Sequence, residues 1–195
     1  MTFTVIDVET SNSNRASICQ IGIVRYEDGD ISYEWSSYVN PQTYFNRINV
    51  SIHGINQKTV DNAPDFPTLA EDLFSMLDDS IIVSHGSFDQ SAISKTCERY
   101  DLRLPTGIWL DSTMVARRVW TELDSKGYRL DKLCKEIGYE FNHHDALADA
   151  KAAARVLMAA VDQSGISVKE WLEKVKHPIS AFCPALPADC FLETL

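Results

Sequence analysis

The chain has 195 residues, 45% of them apolar, which is the size and composition of one ordinary domain with a substantial core and excludes global disorder. Its formal net charge of -10 at pH 7 argues against a protein that grips nucleic acid over a broad basic surface, although carboxylates that hold cations count as negative in that figure. No apolar run approaches a bilayer span, the opening Met-Thr-Phe-Thr-Val-Ile-Asp has no basic start or cleavage site, and five scattered cysteines without a CxxC pair fit reduced thiols, so a cytoplasmic setting with no membrane partner is expected.

Residues 3–8 form a short apolar run ending in acid. Residues 18–26 and 31–39 are rich in Ile, Val, Tyr and Trp, and the Glu27-Asp28-Gly29-Asp30 between them is a turn signal, so three early strands are expected, the last two as a hairpin. Residues 41–66 read as an irregular polar connection. Leu69, Leu73, Phe74, Met76 and Leu77 give a helical period over about 68–78. Strands follow at 81–83 and 108–110, and helices near 88–100, 112–120, 129–137, 145–163 and 167–175. Three strands followed by alternation with helices indicate an α/β layered domain with a mixed sheet of five strands flanked by helices. A domain of 1–165 is expected, with a tail of 166–195 packed on it; the tail is broken by Pro178, Pro184 and Pro187.

Several acids and histidines stand where chemistry can be done. Asp7 and Glu9 are two apart, so on a strand they project from one face. Such a pair repels itself unless a cation joins it; the other reading is that the strand has ended and both acids are in water. Asp89 falls in the first turn of a helix, where it either serves a site or only stabilises the helix start. Asp145 is a credible N-cap, with His144 just outside the helix and Asp149 inside its first turns. Five residues apart on a regular helix they would diverge by about 140°, but a ring before the cap can swing toward Asp149. His143 is adjacent, and a zinc site of Cys134, His143 and His144 has a spacing that matches no common pattern. Four carboxylates and one histidine suit Mg²⁺ or Mn²⁺. Between Arg117 and Lys135 lies a basic stretch, read either as a solvated surface or as a phosphate track.

These residues, in this order, resemble the DEDDh 3′→5′ exonucleases. The family's D-x-E-T is matched by Asp7-Val8-Glu9-Thr10, its F-D by Phe88-Asp89, and its H-x-A-x-x-D-A by His144-Asp145-Ala146-Leu147-Ala148-Asp149-Ala150. Its I-H-G-I element is present as Ile52-His53-Gly54-Ile55. The resemblance implies a ribonuclease H-like fold and removal of nucleoside 5′-monophosphates from single-stranded DNA or RNA 3′ ends, with DNA favoured. It implies two Mg²⁺ or Mn²⁺ ions per site: Asp7, Glu9 and Asp149 on the first, Asp7 and Asp89 toward the second, and His144 as general base. Thr10, Ser11, Ile52, His53, Gly54, His85 and Phe88 are expected along the substrate, and a polymerase or a second copy of the chain as partner. The alternative is a non-catalytic, nuclease-like subunit that binds a polymerase or nucleic acid. Three positions depart from the family pattern: Ser11 where Gly is frequent, His85 where Asn is common, and Gln20 at a commonly acidic position.

Overall fold

The structure, a computed structural model, describes residues 2–175. Its strands are β1 (Thr2–Thr10), β2 (Ile18–Glu27), β3 (Asp30–Tyr38), β4 (Ile81–Ser84) and β5 (Ile108–Asp111). They form one sheet in the order β3-β2-β1-β4-β5. The early strands pair antiparallel, while β4 and β5 run parallel to β1. This is the mixed sheet expected from the alternation of elements. The β2–β3 hairpin turns at Asp28 and Gly29, both at positive φ, the backbone that a tight hairpin requires.

The central strand β1 is covered on both faces, and its side chains sort with a period of two. Ile6 and Val8 join Ile21, Ile23 and Ile82 under the helices α3 (Phe66–Leu77) and α4 (Phe88–Arg99). Phe3 and Val5 face the other layer, built from α5 (Ser112–Val119), α6 (Leu130–Glu136) and α7 (Ala146–Ser164). Asp7 and Glu9 continue the Phe3–Val5 row, so the strand's own alternation aims them at the α7 side. Each fully buried aliphatic or aromatic side chain here contributes about 1.5–3 kcal/mol. That packing fixes the register, since a slip of one residue would turn both acids into the opposite core.

The connection at 41–66 is more ordered than its composition suggests. It holds α1 (Arg47–His53) and α2 (Gln57–Val60). The Asn46 side chain caps α1 by accepting from Ile48 N, and Gly54 ends it at φ 77. Asn56 and Thr59 cap α2 reciprocally. No residue of α1 is buried, so no apolar period marks it in the sequence; the signal lay in its caps. Past Gly165 the same core continues. Helix α8 (Val168–Lys174) buries Val168 and Trp171, and Val175 follows them in. Residues 176–195 lie outside the described residues, including the prolines of the expected tail. No described helix is long and apolar enough to cross a membrane.

Helix α7 meets the sheet at Gly22, which pairs with Asp7 across β1–β2. A Cβ on Gly22 would lie 2.3 Å from the Ala146 carbonyl and from Leu147 N. The first turn of α7 therefore occupies the space of an absent side chain. Gly22→Ala is expected to push α7 off the sheet and to cost about 1–3 kcal/mol of stability. Urea denaturation of the two proteins checks this.

Candidate active site

Three elements bring the acids together. Asp7 and Glu9 come from the end of β1, and Asp149 from the first turn of α7, where Asp145 caps the helix by accepting from Ala148 N. One ligand atom from each of Asp7, Glu9 and Asp149 lies within 4.8 Å of the others. Asp89 arrives from the first turn of α4. Strand β4 pairs with β1 only at Thr4 and Val5, then ends at Ser84, leaving Val8 N without a strand partner on that side. Asp89 Oδ1 accepts from Val8 N at 3.0 Å instead. Asp89 is thus held against β1 between the positions of Asp7 and Glu9.

The electrostatics of this cluster are unfavourable as it stands. Burial, followed by the charges of Asp89 and Asp149, pushes Asp7 well above the usual carboxylate range. Burial and then Asp149 and Asp89 push Glu9 up to about 8. Burial also raises Asp89, against the lowering effect of the Val8 N–H it accepts. Among the described residues, no Lys or Arg pairs with any of these carboxylates. Converging, oxygen-only and with no lysine or arginine partner among the described residues, the set fits a hard divalent cation.

His144 stands at the rim of the same cluster. Its Nδ1 lies 3.9 Å from Glu9 Oε1, and its backbone N–H donates to Asp149 Oδ2 at 3.0 Å. The residue adopts φ 70, a left-handed backbone that turns the chain back just before the helix. Burial and the neighbouring His143 lower its pKa, so the ring is neutral near pH 7. His143 is a partner that the motif did not reveal: its Nδ1–H donates to Asp149 Oδ1 at 2.8 Å. Cys134 is buried in the helical core and belongs to neither group of converging ligands, so the zinc set of Cys134, His143 and His144 does not form.

Of the residues expected along the substrate, Ile52 and Phe88 are exposed, at 48% and 40%. Others are engaged within the protein. The Ser11 hydroxyl donates to the Tyr44 carbonyl, and both Thr10 and Ser11 are buried. His53 Nδ1 accepts from Ile55 N while Nε2–H donates to the Thr10 carbonyl, with Asn49 donating to the same carbonyl. These bonds and Gly54 fasten α1 beside the end of β1. His85 fills its turn: Nε2–H donates to the Tyr128 carbonyl at 2.8 Å, and Nδ1 lies 2.9 Å from the Ser112 hydroxyl. Gln20, which pairs with Glu9 across β1–β2, accepts from Ala146 N and donates to Asp145. An acid there would oppose the Asp145 carboxylate, so the departure at position 20 suits this contact. In the basic stretch, Lys126 and Arg129 pair with Glu136 and Asp131.

Two tests follow from this geometry. Glu9 binds a proton in the folded protein that the unfolded chain, at its ordinary 4.5, has already released. That contribution to stability is fully present below the unfolded value and is lost as pH rises through about 8. The Tm of EDTA-treated protein should therefore fall between about pH 4.5 and pH 8, and a saturating divalent cation should remove most of the slope. Scanning fluorimetry measures both, and identical slopes would argue against cation binding at these acids. His85→Ala should cost about 1–3 kcal/mol by stranding the Tyr128 carbonyl, as read by urea denaturation.

Comparison with known proteins identifies the family. Residues 4–157 match the exonuclease family model RNase_T. Over 166 residues the chain is 28% identical to the PolC-type DNA polymerase III of Oceanobacillus iheyensis, covering 83% of this chain and 12% of the polymerase. It is also 28% identical to the 3′-5′ exonuclease DinG of Bacillus subtilis, covering 83% of this chain and 18% of that protein. The chain thus spans less than a fifth of the length of these relatives. In fold it superimposes on the nuclease domain of 3′hExo, a DEDDh family member solved bound to rAMP, with a TM-score of 0.71. That pair is 20% identical, over 84% of this chain and 92% of the other. The ribonuclease H-like mixed sheet is that of these neighbours, and the chain belongs to the RNase_T exonuclease family.

Proposed function

We propose that this chain hydrolyses the terminal phosphodiester bond at the 3′ end of single-stranded nucleic acid, DNA in preference to RNA, and releases nucleoside 5′-monophosphates. The observation that carries this reading is the convergence of Asp7, Glu9 and Asp149 within 4.8 Å at the end of the central strand. Asp7, Glu9 and Asp149 would hold one Mg²⁺ or Mn²⁺, and Asp7 with Asp89 a second. Such a pair, when bound, supplies a water acidic enough to react near neutral pH and compensation for charge on the leaving oxygen.

The chain's own residues do the rest. The neutral His144 ring accepts the proton of the attacking water, and its side chain, 37% exposed, can pass that proton to solvent. Ile52 and Phe88, with the exposed Tyr44 and Ile48, offer apolar surface for the terminal bases. Thr10, Ser11 and His53 act through the backbone they hold in place beside β1. Among the described residues, the buried free thiols of Cys19, Cys97 and Cys134 support a reducing, cytoplasmic setting. The preference for DNA, and a polymerase as partner, are supported by the polymerase relative; the rAMP-bound neighbour is the reason RNA belongs in the test.

The test uses matched single-stranded DNA, single-stranded RNA and duplex oligonucleotides labelled to report 3′ loss. With Mn²⁺ the protein should release monophosphates, fastest from single-stranded DNA. EDTA and Asp149→Asn should each abolish release. His144→Ala should lower kcat by about 10²–10⁴-fold with cation binding largely kept. Absence of release from every substrate with Mn²⁺ would favour the non-catalytic binding role.

A further inference from the structure

His143 has no step of its own in the reaction just proposed, yet it is built into the rim of the site. Its ring stacks on that of His144, centroids 3.8 Å apart and planes within 19°, so one ring must turn before both direct a nitrogen lone pair at one ion. Its Nδ1 lies 2.8 Å from Asp149 Oδ1. One ring nitrogen from each histidine and a carboxylate oxygen of Asp149 lie within 4.8 Å of one another. The set is therefore two imidazoles and one carboxylate, half-buried at the histidines and buried at Asp149.

We propose that His143, His144 and Asp149 form a second, nitrogen-rich metal site that takes a single Zn²⁺, and that occupation of this site inhibits the enzyme. Two ligand sets of different chemistry share Asp149. Asp7, Glu9 and Asp149 offer oxygen alone, which suits Mg²⁺ and Mn²⁺; the histidine set offers nitrogen, which suits zinc and its neighbours in the transition series. Two histidines and a carboxylate with an open fourth position are a recurrent zinc environment. No proton is gained or lost overall when His143 becomes a ligand: its ring proton passes from Nδ1 to Nε2, and the metal takes the place the proton held between Nδ1 and Asp149. The consequence rests on the proposed exonuclease reading. A zinc ion here occupies the imidazole assigned as base and draws away a carboxylate assigned to the catalytic cations, so zinc and Mn²⁺ compete for one side chain.

The test has a binding arm that does not depend on activity. Isothermal titration of Zn²⁺, with excess Mg²⁺ present, should show one site in the wild-type protein. The affinity should fall about tenfold or more in His143→Phe, which keeps a ring for packing, and in His143→Asn. Asp7→Ala lies outside the histidine set and should keep the zinc site. Co²⁺ substitution should give tetrahedral d–d absorption that the His143 variants lack. In the activity arm, Zn²⁺ should inhibit Mn²⁺-supported release in competition with Mn²⁺, and His143→Phe, measured against its own zinc-free rate, should lose most of the inhibition. Equal zinc affinity in wild type and His143 variants, or loss of the zinc site in Asp7→Ala, would overturn the proposal. A wild type that binds zinc through His143 but releases no nucleotide with Mn²⁺ would leave the site standing and refute the exonuclease reading.

Discussion

Everything at this site depends on how closely helix α7 approaches the sheet. With Ala146 and Leu147 seated where a side chain at position 22 would be, Asp149 is carried to the row begun by Phe3 and Val5 and ended by Asp7 and Glu9. A conventional helix-on-sheet distance, set by side chains on both partners, would hold Asp149 back from the strand. Gln20 completes the seat, because its amide satisfies both Ala146 N and Asp145 at the helix start. Glycine and glutamine on β2 thus decide the geometry of acids on β1 and α7 without offering a ligand of their own to the cluster.

That close approach has an electrostatic cost. A carboxylate moved from 4.5 to about 8 corresponds to roughly 5 kcal/mol of disfavoured ionisation. This is comparable with the net stability of a whole domain, about 5–15 kcal/mol. Four acids cannot be kept charged here by packing alone. The fold tolerates them by remaining partly protonated or by holding cations, and the second course is what the oxygen-only ligand set favours. The apolar core supplies the rigidity, and the charge it forces together supplies the affinity for metal.

Most of this was legible in the sequence because the relevant signals are periodic or paired. The alternation of β1 placed Asp7 and Glu9 on one face, and Asp145 announced both the start of α7 and the position of Asp149. The helix at Arg47–His53 escaped notice because it buries nothing; only its Asn and Gly caps betray it. The contact of His143 with Asp149 was hidden for a different reason. It depends on the left-handed backbone at His144, a conformation that a non-glycine residue rarely adopts and that no spacing rule foretells. His85, expected along the substrate, has a hydrogen-bond partner in the Tyr128 carbonyl, forty-three positions along the chain. Long-range hydrogen bonds to backbone are invisible to local pattern.

The sheet order also bears on when the site comes into being. The strand that carries Asp7 and Glu9 is made first, and its antiparallel neighbours can pair with it at once, but the third carboxylate of the converging set is on α7. Chain emerges from the ribosome in order, and contacts between distant segments form late. A nascent chain that has exposed the hairpin and even β4 and β5 therefore has two of three ligands and no seated helix. Ligand closure must wait for the segment beyond Asp149, so a growing chain presents no complete metal cage to the nucleic acid around it until nearly all of its core is available to pack.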